Sequence, residues 1–261
     1  MEIRSLDKSE NKISFLVRES TPAFVNSLRR AILGDVPVMA VEEVEIRKNS
    51  SILYDEMIAH RLGLLPLTTD LKSYNLPDEC KCEGKGCARC QLNMTLKAKG
   101  PAVVLASEIN SKDSGVKPVY PNMPIAKLLK GQQIELEATA VLGKGKVHSK
   151  WSPGLAFYKQ KAEIEIGDVK DAAKVVESCP VDVFDLKDNK VIVNKDNLLK
   201  CHLCGACEEA SEGKVKVNKN NDYIFTVESW GQLEPKKIVQ EASKAIDEKC
   251  DEFITLVKDL K

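Results

Sequence analysis

A chain of 261 residues with 43% apolar content can bury one large core or two to three small ones. Its 39 Lys and Arg offset 39 Asp and Glu, whereas a protein that grips nucleic acid by itself is usually basic, so protein partners are the stronger expectation. No apolar run approaches a membrane span, and the start MEIRSLDKSENKISF is charged and lacks a signal-peptide core, so a cytoplasmic chain is expected.

In chain order, the first twenty residues alternate well enough for a strand pair. Ile3 and Leu6 precede a polar turn at Ser9-Glu10-Asn11, and Ile13, Phe15 and Val17 then share one face. Thr21 is placed to N-cap a helix with Pro22 in its first turn. Phe24, Leu28, Ala31 and Ile32, with Val25 beside them, give it one apolar stripe. Arg29 and Arg30 fall in its C-terminal half, where cations complement the dipole. Gly34 ends it and Pro37 forbids its restart. Val38, Ala40, Val44 and Ile46 read as the next strand, with Glu42, Glu43 and Glu45 mostly exposed. Met57, Ile58, Arg61, Leu62 and Leu65 predict a second helix stopped by Pro66. His60 lies in it, with no Ser or Cys nearby to make a catalytic pair, and reads as a structural histidine that caps or pairs.

Cys80, Cys82, Cys87 and Cys90 form C-x-C-x4-C-x2-C, four thiols within eleven residues and two glycines that let the chain reverse. Such a set can wrap one tetrahedral zinc in a closed, structural site. Reduced thiols or local disulfides are the alternatives. From Leu92 to Leu142 the pattern is strand-rich, with Met94, Leu96 and Ala98 alternating and Ile134 to Leu142 doing so more strongly. Met123 to Leu129 reads as a short apolar turn or helix. Gly143 to Pro153 lacks the G-x4-G-K-[ST] spacing of a phosphate loop. Its basic residues are expected to face another protein. A strand follows from Leu155 to Ile166, with Ala162, Ile164 and Ile166 on one side.

Cys201, Cys204 and Cys207 form C-x2-C-x2-C, and Cys179-Pro180 supplies a remote fourth thiol. This is the ligand set of one cubane in bacterial-type ferredoxins. Ser211 stands where a further cysteine would serve a second cluster, so one [4Fe-4S] cluster is expected. A three-iron form with Cys179 unligated stays open, as do zinc and a disulfide. Val191-Ile192-Val193 and Val215-Lys216-Val217 are candidate hairpin strands around that loop. Last comes a helix from about Glu234 to Lys261, with Val239, Ala242, Ile246, Cys250, Phe253, Val257 and Leu260 on one stripe. At about 1.5 Å per residue it is a rod of roughly 40 Å. Cys250 reads as a small core residue on that stripe.

Three runs resemble one family. Phe24 to Ile32 followed by Val36 to Val41 is similar to the assembly motif of the alpha-type subunits of multisubunit RNA polymerases, in particular their archaeal D branch. Leu53 to Pro66 matches its L-Y-D-E-x-x-A-H-R-L run, and Gly143 to Pro153 its G-x-G-x-x-H-x-K-W-x-P run. The resemblance implies an α+β fold with a discontinuous dimerisation domain (1–46, 147–166 and 223–261). It implies a strand-rich insert domain over 47–146, which holds the zinc-type loop, and a ferredoxin-like iron–sulfur module over 167–222. In that family the two apolar helices form the assembly interface, here Phe24, Leu28, Arg29, Arg30, Ile246, Phe253 and Val257. The implied partner is the small L subunit, followed by N, P and B, the last being the second-largest in the enzyme. DNA and RNA would be met only through the whole enzyme. No acidic metal motif for nucleotide addition is present, so the chain would be a scaffold inside an enzyme. The rival reading is a ferredoxin-like electron carrier fused to a sheet domain.

Overall fold

The computed structural model describes residues 1–258 and Leu260. Among the described residues twelve strands and five helices follow in order. They are β1 (Glu2–Lys8), β2 (Lys12–Arg18), α1 (Pro22–Gly34), β3 (Pro37–Asn49), α2 (Asp55–Gly63), β4 (Gln91–Lys99), β5 (Ala102–Leu105), β6 (Asn110–Ser111), β7 (Pro124–Leu128) and β8 (Gln133–Lys144). Then come β9 (Gly154–Ile166), α3 (Ala172–Glu177), β10 (Phe184–Lys187), β11 (Lys190–Val193), α4 (Ala206–Ala210), β12 (Val215–Ser229) and α5 (Pro235–Lys258). The α+β class agrees with the expectation from sequence.

One compact unit comprises Met1–Lys8, Ile13–Asn26 and Phe157–Thr226. Its main sheet has the order β1-β2-β12-β9. β1 and β2 are the expected hairpin, with Ile3 opposite Val17 and Ser5 opposite Phe15. Phe15 stacks on Phe225 at 5.3 Å between ring centroids, and Tyr158 stacks on the same ring at 6.2 Å. A smaller core gathers Val175, Val183, Phe184, Val191, Cys207 and Val215 under α3, α4 and the β10–β11 hairpin. Val191 to Val193 pairs with Leu186 to Phe184 in that hairpin. Val215 to Val217 is no hairpin strand: it opens β12, which runs unbroken past the expected boundary at 222/223.

The other unit comprises Ser9–Lys12, Ser27–Ala156 and Val227–Lys261. Its sheet has the order β3-β8-β4-β6, and β5 pairs with β7 alongside. β4 alternates cleanly, with Leu92, Met94, Leu96 and Ala98 buried and the residues between them exposed. These side chains join Ile134, Leu136, Ala138 and Ala140 of β8 and Ile58 and Leu62 of α2 in one core. Met123 to Leu129, expected as a short apolar turn or helix, instead carries the strand β7. Its pairing decides this: β5 runs antiparallel to it, with Val103 opposite Lys127 and Val104 opposite Ala126. His60 is exposed, and among the described residues its imidazole has no partner, so it neither caps nor pairs.

Lys150 also departs from expectation. Its Nζ donates to the Val41 carbonyl at 3.0 Å, pairs with Glu42 and sits 4.4 Å from the centre of the Trp151 ring. The Trp151 indole N–H donates to the Val141 carbonyl at 3.3 Å. This basic loop therefore ties back onto β3 and β8 through Lys150 and Trp151, and only part of it is left to meet another protein.

Candidate functional site

The first cysteine centre hangs from the loop before β4. A short 3-10 turn, Pro77–Glu79, delivers Cys80, and Cys90 ends the loop next to the first residue of β4. Gly86 adopts φ 83°, and a side chain there would collide with that of Gln91, so the reversal between Cys82 and Cys87 needs glycine. All four sulfurs lie within 4.8 Å of one another. Individual Sγ–Sγ separations are 3.5 Å for Cys80–Cys82, 3.6 Å for Cys80–Cys87, 3.4 Å for Cys82–Cys90 and 3.8 Å for Cys87–Cys90. A tetrahedral zinc with bonds of about 2.3 Å sets its sulfurs about 3.8 Å apart, so the thiols already stand where one ion would hold them. The Cys87 N–H donates to Cys90 Sγ at 3.2 Å. Hydrogen bonds, chiefly from Cys90 and then Cys80, pull the Cys82 thiol down to about 6, and burial pushes Cys90 up to about 12.

The second centre comes from two segments. Cys179 follows α3, and its Sγ accepts from the Val183 N–H at 3.3 Å. Cys201, Cys204 and Cys207 lie on the loop that leads into α4. Leu203 at φ 61° and Gly205 at φ 82° curl this loop. All four cysteines line one pocket with Val183, Phe184 and Val217. Among the described residues the Cys80 group is the one set of three or more such ligands that closes within 4.8 Å, so these sulfurs are more widely spread. Cys207 is buried, Cys179 and Cys201 are half-buried and Cys204 is exposed. Burial pushes the Cys207 thiol up to about 11. Lys159 of β9 reaches the loop and donates to the Cys201 carbonyl at 3.0 Å. Burial lowers its pKa, and the neighbouring Cys201 works against that shift.

The third feature is a groove between the C-terminal half of α1 and the C-terminal half of α5. Arg29, Arg30, Lys146, Ile246, Cys250, Phe253 and Ile254 line it. Lys249 closes one side through a 2.6 Å ion pair with Asp35. The Thr21 hydroxyl caps α1 by accepting from the Phe24 N–H at 3.3 Å. Val25, Leu28, Ala31 and Ile32 are buried, while Phe24 is 40% exposed. Of the residues read as an assembly interface, Arg29, Arg30, Ile246 and Phe253 meet at this groove. Leu28 is buried, Phe24 does not line the groove, and Val257 continues the α5 face beyond it. Sequence reading passed over Ile254, four residues after Cys250 on the same helical face.

On α5 the burial changes along one helix. Pro235, Ile238 and Ala242 are buried. Beyond them Phe253 is 67% exposed, Leu256 60% and Val257 46%. Cys250 is exposed as well and is not the small core residue expected from its place on the stripe. α5 ends at Lys258, and Leu260, expected on its stripe, is not helical, while Asp259 and Lys261 lie outside the described residues.

These features define a class first. Residues 44–154 match the RNA polymerase Rpb3/RpoA insert domain, which marks an alpha-type polymerase subunit. Over nearly its whole length the chain is also similar to the DNA-directed RNA polymerase subunit Rpo3 of several archaea. Identity to the Archaeoglobus fulgidus subunit is 38% over 262 residues, covering 99% of this chain and 98% of that one. For Methanosphaera stadtmanae it is 36% over 270 residues, covering 99% of each chain. For Pyrococcus furiosus it is 36% over 266 residues, covering 100% of this chain and 98% of the relative. The chain belongs to the Rpo3 family of DNA-directed RNA polymerase subunits.

Proposed function

We propose that the chain nucleates polymerase assembly by pairing α1 and α5 with the small L subunit, after which N, P and B, the second-largest in the enzyme, join. As an Rpo3-family member it is a non-catalytic, alpha-type assembly subunit of an enzyme that is active only as the complex. The observation that carries the pairing is the exposed apolar face of α5. Its Phe253, Ile254, Leu256 and Val257 stand in solvent along a helix whose first turns are buried. Burying one such side chain is worth about 1.5–3 kcal/mol, so this face gains by meeting another protein. In this reading DNA and RNA are contacted through the whole enzyme, and the setting is cytoplasmic. Among the described residues no helix is long and apolar enough to cross a membrane.

For the cofactors, the Cys80–Cys90 group fits one zinc by its sulfur spacing. Cys179, Cys201, Cys204 and Cys207 fit an iron–sulfur cluster by ligand type, by their common pocket and by their wider spread. Both groups would be structural, each tying chain segments together. The 1–46, 147–166 and 223–261 dimerisation domain, the 47–146 insert and the 167–222 ferredoxin-like module remain our domain assignment.

Phe253→Asp tests the pairing. Co-expressed with L, the variant should elute free of its partner while melting within a few degrees of wild type, because Phe253 contributes little to the chain's own core. Elution as a full heterodimer would remove α5 from the interface.

A further inference from the structure

The pocket of the second cysteine centre is approached by a cation that no acid neutralises. Lys159 and Lys161 lie two residues apart on β9 and therefore on the same face of the strand. Lys161 has a carboxylate, Asp222, at 3.7 Å. Lys159 has none within ion-pair distance among the described residues; its Nζ is bound to the carbonyl of Cys201 at 3.0 Å, in a half-buried position. A half-buried ammonium without a counter-charge is costly, and a carbonyl dipole offsets only part of that cost. The thiols of Cys179, Cys201, Cys204 and Cys207 surround the adjoining pocket. Once deprotonated and bound to a cluster they form a net anionic group, because four thiolates outweigh the charge of a cubane core.

We propose that Lys159 is the positioning residue of this centre, clamping the Cys201 carbonyl so that the C-x2-C-x2-C loop starts in register and supplying the counter-charge of the loaded cluster. Lys159 does not ligate iron. It acts through the backbone of the first loop ligand, as outer partners of metal ligands do, and such partners typically govern a 10–100-fold range of metal affinity. Its charge also acts on the cluster directly, since nearby charge is one of the determinants of cluster potential. The tether runs from a strand of the main sheet to the cluster loop, so the loop is fixed at Cys201 before any ion arrives.

This inference rests on the iron–sulfur reading above, and the test separates the two. The full chain, reconstituted anaerobically with ferrous iron and sulfide, is assayed for iron and acid-labile sulfide, for the rate of bleaching by EDTA, and for midpoint potential. Lys159→Met should bleach about tenfold faster than wild type. Its oxidised-to-reduced ratio at fixed potential should shift about tenfold toward the oxidised form, which is about 59 mV downward for a one-electron couple. Lys159→Arg should restore both values, and Lys161→Met should match wild type. If Lys159→Met does not fold, Lys159→Gln, which keeps a polar tip there, must show the same potential shift. Wild-type bleaching and potential in a neutral variant at position 159 would overturn the inference while leaving the cluster in place. A wild-type chain that takes up iron without sulfide, or neither, would overturn the cluster reading and this inference with it.

Discussion

Two quartets of cysteines use the same side chain in opposite ways. Cys80, Cys82, Cys87 and Cys90 converge within 4.8 Å on a loop whose other side chains are almost all exposed. Cys179, Cys201, Cys204 and Cys207 stay spread around a pocket, and one of them, Cys207, is part of a packed core with Val175, Val183, Phe184 and Val215. That loop has no core of its own, but backbone turns such as Glu83 N–H to the Cys80 carbonyl and Cys90 N–H to the Cys87 carbonyl already bring its sulfurs together, so an ion there would lock a site built in advance. A module with a core already holds its loop in place, so there a cluster would reinforce the structure. The first set is compact enough to hold a metal ion; the second lines a pocket without closing to that spacing.

The contrast is broken most severely at Cys207. Cys207→Ser removes a cluster ligand and puts a hydroxyl into an apolar core in one step. Amide protection across 172–217 should fall at least a hundredfold, roughly 3 kcal/mol of local stability, by hydrogen exchange. Cys204→Ser, at an exposed position, should cost the cluster but less of the core. If Cys207→Ser leaves protection unchanged, the module stands on its own packing and any cluster is a passenger.

A smaller effect is expected at the other quartet. The double variant Cys87→Ser, Cys90→Ser should lose one zinc per chain by elemental analysis and keep its iron. Loss of protection should be confined to residues 77–91, with the heterodimer intact and the main transition moved by less than about 4 °C, the shift that 1 kcal/mol produces in a chain of this size. Loss of both metals from either variant would show that the two centres are not independent.

The convergence of Cys80, Cys82, Cys87 and Cys90 was legible because ligand spacing is a local property: C-x-C and C-x2-C dictate which thiols can meet, whereas Cys179 is remote from Cys201 in sequence and only the fold brings it to the same pocket. α1 was legible for the same reason, with its Thr21 cap, its Val25–Leu28–Ile32 face and Gly34 all within fourteen residues. β7 was not, because an apolar run as short as Ile125-Ala126-Lys127-Leu128 suits either a helical turn or a pleat, and its partner β5 decides between them. The length of β12 was hidden by its polar middle, Asn218 to Asp222, which a sheet tolerates where strands face solvent. On α5 the stripe was read correctly and its burial was not. Periodicity shows that a face is apolar, but Ala242 meets its own chain and Phe253 stands in solvent, and the sequence marks both alike. Lys159 carried no signal of its own; only the fold brings β9 under the Cys201 carbonyl.

The smallest expected effect concerns the thiols before any metal binds, and it sharpens the contrast without perturbing the fold. In protein stripped by a chelator, Cys82 has a pKa near 6 because its neighbours' thiols hydrogen-bond to its sulfur, so at pH 7 it is mainly thiolate. Burial holds Cys207 near 11, and at pH 7 it is almost wholly thiol. A lowered pKa keeps the charged form above that value and loses it below, so alkylation of Cys82 by iodoacetamide should rise about tenfold per pH unit up to pH 6 and level off beyond it. Cys207 should label at least a hundredfold more slowly at pH 7 and keep accelerating toward pH 11, because only its small thiolate fraction reacts. Zinc added before the reagent should protect Cys82 and leave Cys207 as it was. Peptide mass spectrometry of a pH series resolves each site. Equal labelling of the two cysteines, or a Cys82 rate still climbing at pH 9, would show that the convergence of the first four sulfurs does not persist without the ion. The tight quartet would then be a product of metal binding, where the geometry here makes it a site built in advance.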